Sequence, residues 1–134
     1  MQLQFNWWAV IVSTCIAMFI PAIWYAPKVF GETWLQLSGI SAEQSKEGQG
    51  SALALSAVCS FGLAFAMAGF LNYLGSQSFL QGALAGFQFW IGFSLTQLLV
   101  DYRFSKRPWK LTFINAGHSG LSMVIIGGLL AVWK

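Results

Sequence analysis

The chain has 134 residues, 57% hydrophobic and only 8% charged, against roughly a quarter charged in soluble domains. Seven Lys and Arg against four Asp and Glu give a net charge of +3, which alone would suggest an anionic partner such as nucleic acid. Four apolar stretches exclude that reading, because they fill nearly the whole chain and leave no helix or sheet to enter a groove.

The first stretch, residues 5–26, is long enough to span a bilayer, since about 20 apolar residues cross ~30 Å of hydrocarbon. No basic residue precedes Lys28, so the stretch lacks the positive start of a cleaved signal peptide and is read as a retained helix. Asn6, Ser13 and Ala17 form its polar or small side. Pro21 removes one backbone hydrogen bond and predicts a kink. Cys15, like Cys59 in the second stretch, is read as a small buried hydrophobe rather than half of a disulfide.

Residues 27–50 form the one long connection. Phe30, Trp34 and Leu37 recur at three- to four-residue spacing, which predicts a short interfacial amphipathic helix over residues 28–39. Ser41-Ala42-Glu43-Gln44 reads as a capping box, from which the next helix is predicted to start. The second span, residues 51–75, offers Ser56, Cys59 and Ser60 on one side with Gly62, Ala66 and Gly69 nearby. A tight uncharged turn at Gly75-Ser76-Gln77 then makes the second and third spans an antiparallel hairpin.

The third span covers residues 78–100. At ~100° per residue, Ser78, Gln81, Ala85, Gln88, Gly92 and Thr96 share one stripe, and Phe79, Phe87, Trp90 and Phe93 lie opposite. A glutamine amide in hydrocarbon is costly unless it is hydrogen-bonded. The polar stripe is therefore predicted to face other helices and the aromatic side to face lipid or bulky neighbours. Gly82-Ala-Leu-Ala-Gly86 is a GxxxG motif suited to close helix contact within or between chains. In the loop 101–110, Asp101 reads as a solvated or ion-paired helix end. The fourth span, residues 111–133, aligns Thr112, Asn115, Ser119 and Ser122, with His118 at the margin and Ala116, Gly120 and Gly127 on a second, small face.

Six of the seven Lys and Arg fall in residues 27–50 and 101–110. Basic loops stay in the cytoplasm, so both termini and the 75–77 turn are predicted outside. Trp7, Trp8 and Trp133 would belt the outer interface and Trp24 and Trp109 the inner one.

The polar residues Gln81, Gln88, Thr96, Asn115, His118, Ser119 and Ser122 form a candidate inter-helix cluster, serving either as packing glue or as a hydrated path or small-molecule pocket. With no second His, Asp or Glu inside the spans, a metal site would lack ligands. No nucleophile with an adjacent base and no phosphate-cradling loop is found. No catalytic residue, cofactor or metal is assigned, and an enzyme would need His118, Asn115 and Glu32 brought together.

Two segments carry a family resemblance. The first is Trp24-Tyr25-Ala26-Pro27 with Phe30-Gly31, Trp34 and Gly39. The second is Arg107-Pro108-Trp109-Lys110-Leu111 with Ile114-Asn115-Ala116-Gly117. With the four-span layout, they make the chain resemble DUF1761, small bacterial four-helix membrane proteins of unknown function. Ala26 stands where that family typically has glycine. The resemblance implies a bacterial inner-membrane protein and supplies no activity. It singles out Trp24, Tyr25, Pro27, Phe30, Gly31, Trp34, Pro108, Trp109 and Lys110 as interface residues. Physically, Trp24, Tyr25 and Pro27 end the first helix, Gly31 lets the chain turn, and Pro108 suits the first position of a helix.

The resulting expectation is one all-α transmembrane domain over residues 1–134, a four-helix bundle with both termini outside and a short interfacial helix in the first cytoplasmic loop. Its partners are the lipid bilayer, further copies of the chain, and other membrane proteins or an unidentified small ligand, but no nucleic acid. Function is expected to be that of a self-associating structural, accessory or ligand- or lipid-binding protein. The alternatives are a homo-oligomeric pore or transporter subunit, in which the polar cluster lines a path, and a membrane enzyme. The orientation predicts that an impermeant thiol reagent labels Gln77→Cys from outside and leaves Ser105→Cys untouched; the reverse pattern would overturn it.

Overall fold

The computed structural model describes residues 5–133. Among these residues there are only helices and connections: α1 (Trp7–Trp24), α2 (Glu32–Ser38), α3 (Gln49–Leu74), α4 (Phe79–Phe104) and α5 (Trp109–Val132). Helices α1, α3, α4 and α5 are each long and apolar enough to cross a membrane. The chain is an all-α membrane bundle.

Local chemistry sets the helix ends. Asn6 accepts hydrogen bonds from the backbone N–H of Trp8 and Ala9 at 3.1 and 3.2 Å, so it caps α1 rather than contributing to an inter-helix face. Pro21 lies inside α1. The helix stops at Trp24, before the predicted end, because Pro27 drives Ala26 into extended backbone (φ −61°, ψ 144°). Ser41 and Gln44 do make the reciprocal bonds of a capping box, at 2.9 and 3.1 Å. They cap only one 3-10 turn, Gln44–Lys46. The chain then turns through Gly48 at φ +68°, and α3 starts at Gln49 instead. Pro108 is the N-cap of α5, one place before the position expected of it.

Helices α4 and α5 form the tightest seam. A Cβ added to Gly82 would run into the carbonyl oxygen of Gly127, and one added to Gly86 into the carbonyl oxygen of Met123. The GxxxG motif is thus consumed inside the chain, backbone against backbone. Helix α1 lies between α3 and α5, with Val10, Ala64, Leu71 and Ile126 in the shared core. Ser13 is also fully buried there, and its hydroxyl has no partner in the described chain.

The seam overturns the expected facing of α4. Gly82, Ala83, Ala85 and Gly86 are buried, whereas Gln81, Gln88, Gly92 and Thr96 are exposed. Between helices already in hydrocarbon, close approach is decided by residue size and not by polarity. Phe79, Phe87 and Phe93 are exposed as expected. Trp90 is half-buried, its ring lying where a Cβ on Gly120 would stand, and a π-helical stretch, Trp90–Leu95, begins there. On α3 the packed residues are Ala64, Met67, Ala68 and Leu71, while Ser56 and Cys59 are exposed. Both cysteines are free and exposed, not buried. Trp7, Trp8, Trp109 and Trp133 are exposed, and Trp24, half-buried at the end of α1, is packed against α5.

Between α3 and α4 the bundle is loose, with Phe70 and Phe89 edge-to-face at 4.6 Å as a principal contact. Toward the 27–48 loop these two helices part and leave a chamber.

Gly86→Val should destabilise the fold by about 1–3 kcal/mol, the usual cost of forcing extra carbons into a packed contact. Gly92→Ala, where an added Cβ meets nothing within 4 Å, should change stability little. Unfolding in detergent micelles checks the pair, and equal effects would show that the seam does not hold the bundle.

Candidate functional site

The chamber measures about 970 Å³ and is lined by residues from α1, the first connection, α2, α3, α4 and α5. Its floor follows from the way α1 ends. The Pro27–Gly31 segment is a single π-turn, closed by the Gly31 N–H donating to the Ala26 carbonyl at 3.0 Å. Only glycine fits at position 31, because a Cβ there would strike the Tyr25 carbonyl oxygen. The turn swings α2 beneath the bundle and sets Trp34 edge-on to Tyr25 at 5.7 Å.

The same helix end is fastened to α5. The indole N–H of Trp24 donates to the Ile114 carbonyl at 2.9 Å, and its ring occupies the space that a side chain at Gly117 would need. One residue on, the Tyr25 hydroxyl lies 2.5 Å from Asn115 Oδ1 and 3.1 Å from His118 Nδ1. Asn115 Nδ2 donates to the Tyr102 hydroxyl at 2.6 Å, with the amide oxygen toward Tyr25. A phenol has a single proton. Given to Asn115, it leaves the Tyr25 oxygen to accept from His118 Nδ1–H, so Nε2 is the bare nitrogen in this assignment. The ring meets Tyr25 through Nδ1, and His118 lines the chamber.

Helix α4 supplies the opposite wall through Ser94, Leu98 and Tyr102. The Trp90 indole donates to Ser119 Oγ at 3.1 Å, and Ser94 Oγ approaches Met123 Sδ at 3.8 Å. Glu32 and Lys46 line the side toward the connection and are exposed. The site is therefore neutral and hydrogen-bonding at its back, and charged, with both signs, at its mouth.

The sequence-predicted cluster divides in two. Asn115, His118 and Ser119 come together in the chamber with Tyr25, Pro27, Gly31 and Trp34. Ser122 stands just behind, buried, donating to the His118 carbonyl at 2.8 Å. Gln81, Gln88 and Thr96 lie elsewhere, exposed on α4. Phe30 packs on Trp24 with ring centroids 4.8 Å apart. At the α4–α5 turn, Arg103 sits 3.7 Å over the Trp109 ring and donates to the Arg107 carbonyl and Thr112 Oγ1 at 2.7 and 2.8 Å. That clamp holds the turn next to Pro108 and the exposed Lys110 and does not enter the chamber. Glu32, Asn115 and His118 do line one chamber, which their spacing alone did not suggest. No hydrogen bond joins Glu32 to either in the described chain.

Sequence reasoning missed Tyr102, Ser94 and Trp90. The signal was present: Trp90, Ser94, Leu98 and Tyr102 recur at four-residue spacing, the period of one helix face.

A family model described as a protein of unknown function, DUF1761, matches residues 8–131. The chain belongs to this family. No curated protein and no solved structure matches it. In this DUF1761 chain the two motif segments, some ninety residues apart in sequence, meet at the Trp24–Ile114 and Tyr25–Asn115 contacts.

Hydrogen bonds between membrane helices are worth about 0.6 kcal/mol on average and up to about 1.7. The Tyr25–Asn115 bond should lie within that range. A double-mutant cycle of Tyr25→Phe and Asn115→Ala, read by unfolding in micelles, should give a coupling near 1 kcal/mol; additive effects would mean that the two groups do not bond.

Proposed function

We propose that this is a bacterial inner-membrane protein that holds a small ligand or a lipid in the chamber and self-associates. Both termini would lie outside, with residues 27–50 and 101–110 in the cytoplasm. The distribution of Lys and Arg supports that orientation, and it puts the chamber at the cytoplasmic end of the bundle.

The observation that carries the binding reading is a chamber of about 970 Å³ lined by His118, whose Nδ1 meets Tyr25, beside a Tyr25–Asn115–Tyr102 hydrogen-bonded chain. Ligand pockets run to ~300–1,000 Å³, apolar for the most part, with a few convergent polar groups. Here the polar groups are neutral, and the apolar walls come from Pro21, Trp34, Leu35 and Leu98. The ligand they suit is uncharged at its inner end, carries a hydrogen-bond donor for His118 Nε2, and meets Glu32 and Lys46 only near the mouth.

A second reading, a pore or transporter subunit, is favoured by Gln88 and Thr96 standing exposed on α4, where an assembly could enclose them. A conduit within one protomer is opposed by Val10, Ser13, Ala64 and Ile126, all fully buried between the chamber and the 75–77 turn.

Native mass spectrometry of the protein released from its own membrane in mild detergent tests the binding reading. A bound mass at about one per protomer is expected, falling at least five-fold in His118→Ala and in Ser94→Trp, which fills the chamber. An unliganded wild type, or equal occupancy in all three, would overturn it. Flux through liposomes separates the pore reading: rates lost in both Gln88→Leu and His118→Ala would favour it over simple binding.

A further inference from the structure

The chamber leaves Gln88 unexplained. Counting from Phe79, it lies nine residues into α4, about 13 Å along the helix at ~1.5 Å per residue, and so near the middle of ~30 Å of hydrocarbon. It is exposed and makes no hydrogen bond within the described chain. Its neighbours on the same stripe satisfy themselves locally. Gln81 Oε1 accepts from the Gln77 N–H at 2.9 Å, and Thr96 Oγ1 donates to the Gly92 carbonyl at 2.9 Å. An amide left bare among lipid tails is costly, and polar side chains within spans normally find partners across helix interfaces.

We infer that Gln88 marks the face through which two copies of this chain pair, α4 against α4. The inference rests on the self-association proposed above and adds the surface that performs it. Two copies sharing one membrane orientation are related by an axis along the membrane normal, so their α4 helices run in the same direction. Near such an axis each residue meets its own counterpart. A glutamine amide suits that position, because it carries both a donor and an acceptor and two of them bond reciprocally. A charged side chain there would repel its copy, and a hydroxyl could satisfy only part of the pair. One turn further on, Gly92 has open space where a Cβ would be, so a second backbone can approach closely. The GxxxG pair, Gly82 and Gly86, cannot serve, since both glycines are already packed on α5.

The test keeps Gln88 and places the reporter beside it. Cys15 and Cys59, which are free and exposed, are first changed to Ser, and Gly92→Cys is then oxidised in native membranes. Phe113→Cys, at an exposed site on α5, serves as the control. Gly92→Cys should yield at least five-fold more disulfide-linked dimer than Phe113→Cys. Adding Gln88→Leu should reduce the yield several-fold, and adding Gln88→Asn should preserve most of it. Equal cross-linking at positions 92 and 113, or a yield indifferent to Gln88→Leu, would overturn the assignment of this face. The mass of the unmodified protein in mild detergent separates the two levels of the claim. A dimer that persists in Gln88→Leu with no cross-link at 92 removes this face but leaves self-association standing. A strict monomer, with no cross-link in membranes, removes both.

Discussion

Gly82, Gly86 and Gly127 let α4 and α5 touch through their backbones, and the polar contacts of the chamber take their positions from that seam. Starting from it, Trp90 reaches Ser119, Tyr102 reaches Asn115 and Arg103 reaches Thr112, three bonds between the same two helices. Helix α1 is then fastened to α5 by Trp24 and Tyr25. A shift of the hairpin by one residue would rotate Asn115 by ~100° and dismantle the phenol–amide–phenol chain. In a medium that offers no hydrophobic drive between helices, small residues fix the geometry and the hydrogen bonds then select among the close packings.

The chamber shows how a membrane protein can be polar inside without being charged. Two phenols, an amide and an imidazole meet one another, the Ser119 hydroxyl donates to a backbone carbonyl, and the carboxylate and ammonium of Glu32 and Lys46 remain at the exposed edge. Isolated charges would cost far more in hydrocarbon than neutral groups do. A network of this kind positions a ligand by direction and shape, with little long-range field.

Much of the fold was legible in the sequence. Apolar length located the four spans, and the short uncharged turn at 75–77 required a hairpin. Ser41 and Gln44 paired as a capping box should, although Gly48 then ended the turn they cap. The α4 stripe was misread because a helical wheel assumes that polarity chooses the inner face. Here glycine chose it, leaving Gln81, Gln88 and Thr96 outside. A wheel at fixed pitch also cannot register a π-helical stretch such as Trp90–Leu95, which offsets every later residue of α4 from the earlier ones. The site was half legible: Asn115, His118 and Ser119 lie on one face of one helix and could be read by spacing. Their partner Tyr25 lies ninety residues earlier, a distance that no periodicity within a helix can bridge.

The wall of the chamber formed by residues 49–56 of α3 differs from those of α4 and α5. Among the described residues its side chains make no hydrogen bond to α1, α4 or α5; Ser51, for example, bonds only to the nearby Gly48 carbonyl. The walls from α4 and α5 and the end of α1 are pinned by bonds between helices, whereas this one has none. Fewer directional bonds hold this side than the back, so an occupant of larger girth would displace it at lower cost than it would the hydrogen-bonding groups of α4 and α5.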